Sequence, residues 1–385
     1  MTRKICIVTT TRADYGYLRP ILRELLRADE VELQVIAGGT HLVPAYGMTI
    51  REIEADGIPI AAKVEIGGEG GSQLSIATAT ANSVAAFAQA YDRLQPDLLV
   101  LLGDRYEILG AAMARLPFVR PIGHIAGGET TEGAIDDSIR HALTKLSHLH
   151  FVATEEYARR VIRMGEEPWR VTVSGAATLD NIHTVADLTD SQVEALIGMP
   201  LCEPLLLATF HPETLAPEGT ARQIQAFLEA LETLDIPVVC TYPNADAHAG
   251  EIVEAVRRFV GRKPAARVFV SSLGTRGYFA VMRRAAAMAG NSSSGIVEAA
   301  SFGLPVVNVG DRQRGRAHGP NVLHAPCEPS AIVDAVRTAL SPKFRQVASQ
   351  SGNPYGDGHA AARIASVLRS VPLDAALLRK TFHTG

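Results

Sequence analysis

The sequence predicts an α/β fold of two Rossmann-like, doubly wound domains facing each other across a cleft. Three observations predict it. Short apolar runs alternate with helix-patterned segments along almost the whole chain, the order that builds parallel βαβ units. The runs are apolar at successive positions, as strands covered on both faces require. A length of 385 residues also exceeds what one ordinary core organises. The break is expected within 178–204, where TLDNIHTVADLTDSQVEALIGMPLCEP is less apolar and ends at Pro204 before a fresh run. This assigns 1–180 to a first domain and 181–365 to a second. A tail over 366–385 is expected to pack back on the first.

The elements follow in order. In the first domain strands are expected at 4–10, 31–37, 97–102, 121–125, 149–153 and 171–174. In the second they are expected at 205–210, 237–242, 267–270, 286–289 and 305–309. Apolar residues three and four apart predict helices at 18–27, 76–94, 138–146, 155–164, 221–231, 249–260 and 294–301. The Gly-rich piece 67–72 reads as a mobile loop.

Composition excludes several classes. A formal charge of −4 leaves no electrostatic footprint for nucleic acid or an anionic membrane, so any anion site must be local. The first apolar run is too short and β-branched for a signal peptide. No run reaches the eighteen or so apolar residues of a membrane helix. Cys6, Cys202, Cys240 and Cys327 are scattered and form no CxxC pair, so neither a zinc site nor a disulfide framework is indicated. A convincing GxGxxG is absent, which counts against a dinucleotide dehydrogenase. The expectation is a cytoplasmic protein with no metal.

The chemistry concentrates between 97 and 141. DLLVLLGDRYE, and then HIAGGETTEGAIDDSIRH, each carry an apolar run into small residues and then acid. Ligands of parallel α/β sheets bind beyond the carboxyl ends of strands, which is where Asp104, Glu129, Asp136 and Asp137 then fall. Clustered carboxylates can separate into one acid and one base. Two plainer readings stand beside this one: Asp104 with Arg105 as a salt-bridged strand end, and Asp137 as a helix cap. His41, just past a strand, is a weaker candidate.

A second set suits an anionic ligand. TTTRADYG follows the first strand and precedes the helix expected at Leu18; its Arg12 can meet phosphate with a two-pronged guanidinium. AMAGNSSSGIVEAASFG carries a buried run into Ser292, Ser293, Ser294 and Gly295 at a helix start, with Glu298 about one turn on, able to accept from a ribose diol. Simple N-capping by serine is the alternative. His211 stands at the mouth of the strand 205–210, able to bind phosphate or serve as an acid, and Asn244 and Asp246 end the next strand. GDRQRGRAHG adds Arg312, Arg314 and Arg316.

Taken together, TRADYG, GDRYE, HIAGGE, IDDSIRHALTKLSHLH, FHPET, GNSSSG and GDRQRGR resemble, in order over about 3–360, the UDP-N-acetylglucosamine 2-epimerase family, most closely its hydrolysing branch. The resemblance implies a glycosyltransferase-B-like fold, a nucleotide-sugar substrate, no cofactor and a homodimer or homotetramer. It implies catalytic roles for Asp104, Glu129, Asp136 and His211. It implies nucleotide contacts at Arg12, Ser292, Ser293, Glu298 and Arg312, beside which Arg105, Asn244, Ser294 and Gly295 are further substrate- or nucleotide-binding candidates. One departure is Ala126, where several family members carry a carboxylate before the paired glycines. The implied reaction converts UDP-N-acetylglucosamine to N-acetylmannosamine and UDP through a 2-acetamidoglucal. The same motifs suit a hydrolysing epimerase of UDP- or GDP-N,N'-diacetylbacillosamine on a legionaminic acid route. A non-hydrolysing epimerase shares the fold, a glycosyltransferase would share the nucleotide cradle, and a non-catalytic sensor would keep GNSSSG and lose the acids.

Overall fold

A computed structural model of the chain describes residues 2–44, 47–67, 73–130, 135–184, 186–212, 219–243 and 249–384. The loop expected at 67–72 lies outside them apart from Gly67, as do Asn244 and Asp246. The chain divides into two compact units, the first from Met1–Thr130, Ile135–Asp180 and Tyr355–Gly385, the second chiefly from Asn181–Pro354.

In the first unit the strands are β1 (Arg3–Thr9), β2 (Val31–Gly38), β3 (Ile60–Val64), β4 (Leu98–Leu102), β5 (Ile122–Ile125), β6 (Leu149–Val152) and β7 (Val171–Val173). They form one parallel sheet in the order β3-β2-β1-β4-β5-β6-β7. The reason successive residues are apolar is visible in the pleat. Ile5, Ile7, Leu33, Val35, Leu98 and Val100 enter one core, while Cys6, Val8, Ile36, Leu99 and Leu101 enter the core on the opposite face. The first of these cores also takes Ala361, Ile364, Ala365 and Leu368 of the helix Ala360–Ser370. The chain therefore returns to the first unit at Tyr355, before the expected 366.

The second unit carries β8 (Leu206–Thr209), β9 (Val238–Thr241), β10 (Arg267–Val270), β11 (Ala287–Gly290), β12 (Val306–Val309) and β13 (Val322–Ala325). They too are parallel, in the order β10-β9-β8-β11-β12-β13. Each sheet reverses its winding once, between β1 and β4 and between β8 and β11. The connections there leave to opposite faces and open a crevice at the strands' carboxyl ends. The α/β, doubly wound class predicted from sequence is the class observed.

Two differences from the sequence reading have physical causes. β3 and β13 were not expected, and both are sheet edges. Exposure alternates along β3, with Ala61 and Lys63 outward and Ala62 and Val64 buried, so no continuous apolar run marks it. The first helix begins at Arg12, well before the expected Leu18. Thr11 caps it by accepting from Asp14 N at 3.2 Å, and the Asp14 carboxylate accepts from Thr11 N at 3.0 Å. This reciprocal capping box draws ADYG into the first turn. No described helix is long and apolar enough to cross a membrane.

Candidate active site

In the first unit the loops after β1, β2, β4 and β5 carry most of the predicted residues. β4 ends in Gly103, Asp104 and Arg105, then the helix Tyr106–Arg115. Asp104 and Arg105 are not paired with each other, as a salt-bridged strand end would have them. Asp104 Oδ2 accepts from Arg140 Nη2, on the helix Ile135–Leu146. Arg105 instead grips Glu107, donating from Nε at 3.1 Å and from Nη2 at 2.7 Å. Glu107 is buried, so this pair fixes the guanidinium's plane. Arg105 lines a cavity of about 590 Å³ together with Thr11, Thr40, Tyr106 and Glu107.

Arg140 is the residue that joins the two acidic motifs. Its side chain is only 5% exposed, and it reaches Asp137 Oδ1 at 3.8 Å as well as Asp104. Asp137 also faces His141 Nε2 at 3.5 Å. It is thus an ion-paired residue of the first helical turn rather than a simple cap. Asp136 stands half-buried in that same turn. Glu129, also half-buried, ends the loop after β5, which turns through Ala126, Gly127 and Gly128. Ala126 has φ +64°, a left-handed conformation uncommon for alanine, and Gly128 has φ +76°. A Cβ on Gly128 would meet Tyr157 O at 2.5 Å, so the tight turn requires glycine there.

Two candidates from the first unit take different places. His41 is fully buried, with Nε2 2.9 Å from Thr9 Oγ1 and Nδ1 2.7 Å from Thr49 Oγ1. Burial pushes its imidazole down to about 4. It is a hydrogen-bonded core histidine that braces the β1 and β2 loops. Arg12, the first helical residue, is exposed and pairs with Glu52 at 3.0 Å.

In the second unit the crevice is organised by Asn291. Its Oδ1 accepts from His211 N at 2.7 Å and its Nδ2 donates to His211 O at 2.9 Å, so one amide staples the end of β8 to the loop after β11. Its own carbonyl accepts from Arg312 Nη1 at 3.2 Å and Gln313 Nε2 at 2.9 Å. Gly290, with φ +133°, lets β11 approach β8: a Cβ there would stand 1.9 Å from Thr209 O. His211 is 5% exposed, and burial, aided by the Arg312 charge, pushes its imidazole down to about 3. It is neutral near pH 7, so it can accept a proton or donate a hydrogen bond but holds no charge of its own.

Ser292 caps a helix of only five residues, Ser293–Val297, followed by a 3₁₀ turn Ala299–Phe302. A helix this short brings little dipole, so hydroxyls and N–H groups matter more than the macrodipole. Ser292 Oγ and Ser294 Oγ are 2.9 Å apart, and Tyr278 OH lies 2.7 Å from Ser294 Oγ. Gly295 is buried in this turn, and Glu298 ends it half-buried.

Several partners of the candidate residues lie beyond the sequence reading. Arg140 had a signal, the three-residue spacing from Asp137 in DDSIRH that pairs charges on one helix face. Glu107 had one too, in the RYE triplet. Tyr278 and Gln313 had none, because their partners lie on other strands' loops.

Comparison with known proteins places the chain in context. Residues 23–369 match the family described as UDP-N-acetylglucosamine 2-epimerase. The chain is 38% identical over 345 residues to the GDP/UDP-N,N'-diacetylbacillosamine 2-epimerase (hydrolyzing) of Campylobacter jejuni, with 89% of each chain covered. It is 35% identical over 381 residues to the UDP-N,N'-diacetylbacillosamine 2-epimerase (hydrolyzing) of Legionella pneumophila, with 99% of each covered. The crystal structure of the Neisseria meningitidis UDP-GlcNAc 2-epimerase bound to UDP-GlcNAc superposes with a TM-score of 0.80 at 19% identity. That superposition covers 95% of this chain and 99% of the other and establishes likeness of fold.

Proposed function

Because the chain belongs to the UDP-N-acetylglucosamine 2-epimerase family, we propose that its reaction is hydrolytic inversion at C2 of a nucleotide-linked 2-acetamido sugar. It is an enzyme of the hydrolysing branch. The observation that carries the chemical reading is Asp104 held on the buried Arg140, the guanidinium that also faces Asp137.

Elimination removes the C2 proton to a carboxylate as the C1–O bond breaks. The electron pair of that bond leaves with the nucleoside diphosphate, and a 2-acetamidoglucal remains. Water then adds, its oxygen to C1 and one of its protons to a base, while an acid delivers a proton to C2 from the opposite face. Asp104, Glu129 and Asp136 are the groups available as base and acid, each worth on the order of 10²–10⁴ in rate when well placed. Arg12, Arg105, Arg312, Ser292, Ser293, Ser294 and His211 are assigned to the nucleotide and its leaving diphosphate, with Glu298 to the ribose. Diphosphate beside the neutral His211 would raise its pKa and let it hold a proton against the departing charge. We read the enzyme as cytoplasmic, as a homodimer or homotetramer, and as using no cofactor.

Two sugars share every step. N-acetylglucosamine is the simpler. The 2,4-diacetamido-2,4,6-trideoxy sugar is favoured by the two hydrolysing relatives, named for diacetylbacillosamine at 38% and 35% identity. Proton NMR in D2O with each nucleotide sugar separates them. Free manno-configured sugar with deuterium at C2, and released nucleoside diphosphate, is expected from one. Inertness toward both, or release of sugar without deuterium, would overturn the proposal.

A further inference from the structure

Asp104 follows a residue, Gly103, whose backbone N–H and C=O are both held. The N–H of Gly103 donates to Ile125 O at 3.0 Å, and the Gly103 carbonyl accepts from His124 Nε2 at 2.8 Å. Both partners belong to β5, the strand whose loop carries Glu129. His124 is wholly buried, and its ring lies beside Gly127, the first of the paired glycines of that loop. A Cβ on Gly127 would stand 3.1 Å from His124 Nδ1 and 3.4 Å from Cε1. One imidazole therefore touches both acid-bearing loops, bonding the backbone of one and packing under the other.

We propose that His124 is a positioning residue that sets the Asp104 loop against the Glu129 loop through its Nε2–H bond to the Gly103 carbonyl. The proposal rests on the reading of Asp104 and Glu129 as the acid–base pair. A carbonyl can only accept, so the ring must carry its proton on Nε2. Burial keeps the ring neutral, pushing it down to about 3 against the opposing effect of the Gly103 bond. Nδ1 is then left as a bare acceptor, with no hydrogen-bond partner among the described residues. A core position serving packing alone has no use for that arrangement, because an apolar ring or a leucine would fill the space without an unsatisfied nitrogen. What an apolar side chain could not do is hold the Gly103 carbonyl, and with it the direction in which Asp104 leaves β4. Arg140 then fixes the far end of the same residue, at the carboxylate.

Two measurements test this. The first uses the unaltered enzyme: nitrogen-15 NMR of the histidine rings, with His124 assigned from its contact to the Gly127 α-protons. The Nε2–H tautomer, without titration between about pH 5 and 9, is expected. An Nδ1–H tautomer, or titration within that range, overturns the proposal. The second compares His124→Gln, whose amide nitrogen reaches about as far as Nε2, with His124→Asn, which reaches only to Nδ1. His124→Gln is expected within about threefold of the parent kcat. His124→Asn should lose about 30-fold or more, with KM and UDP affinity within about twofold. Equal kcat in the two variants, or a loss confined to KM, overturns the proposal. If neither variant folds, the tautomer decides. Asp104→Asn with full turnover would instead remove the acid–base reading and leave the tautomer result standing.

Discussion

Replacing Arg140 with methionine keeps an unbranched apolar stem and deletes the guanidinium and its charge. The guanidinium lies 3.8 Å from Asp137 and closer to Asp104, with those carboxylates 28% and 21% exposed. At an effective dielectric of about 20, a pair at 3.8 Å attracts by about 4 kcal/mol before desolvation. Partial exposure and the cost of burying Arg140 reduce this to a net of about 1–3 kcal/mol for holding Asp104 in place. If that positioning is used in the transition state, kcat falls by about 5- to 150-fold. The assay is initial-rate release of nucleoside diphosphate, paired with deuterium incorporation at C2 in D2O. Binding of UDP, followed by calorimetry, should stay within about twofold, because Arg140 pairs with Asp104 and Asp137 and is not among the residues assigned to the nucleotide. An Arg140→Met enzyme with kcat within about twofold of the parent would refute the reasoning, as would a loss seen only as weaker UDP binding.

Three further outcomes follow from the same geometry. Asp104→Asn and Glu129→Gln should each lower kcat by about 10²–10⁴ with UDP affinity nearly unchanged, checked by rate and calorimetry. Asn291→Ala leaves the buried N–H and C=O of His211 without their partner amide, at about 1–3 kcal/mol apiece. Denaturant unfolding of the second unit should register a drop of about 2–6 kcal/mol; a change under about 0.5 kcal/mol would contradict the staple. Burial depresses His41 to about 4, and His124 and His211 to about 3, from an ordinary 6.5. The unfolded chain therefore binds more protons than the folded one below about pH 6.5, and stability present above that value is lost as pH falls. Urea midpoints should fall steadily from pH 7 to pH 5; a flat profile would contradict the buried, neutral assignment.

Much of the fold was legible because local burial leaves a local record. All eleven runs expected as strands are strands, since a residue between two neighbours in a covered sheet is apolar on both faces of the pleat. β3 and β13 escaped because an edge strand meets solvent on one side and keeps polar or exposed residues such as Lys63 and His324. The capping box of Thr11 and Asp14 is present in the letters TTTRAD, yet hydrophobic periodicity does not reach the first turn, because Arg12, Ala13 and Asp14 are not core residues.

The candidate site divides along the same line. From sequence alone, small residues followed by acid at strand ends mark Asp104 and Glu129 as candidates, and GNSSSG marks a candidate anion-binding turn. These are one-dimensional features, because a strand that must stop, turn and leave room for a ligand writes glycine and a polar group at its end. Only the tertiary structure decided which of these groups meet. Strand order puts β4 beside β5 and β8 beside β11, and that adjacency lets Arg140 reach back 36 positions to Asp104. It also sets the Gly103 carbonyl on His124 across 21 positions and the Asn291 amide on His211 across 80. It turned His41 from a ligand candidate into a buttress between two threonines. Such pairings depend on which strand the chain lays beside which, and periodicity along one segment carries no information about its neighbour.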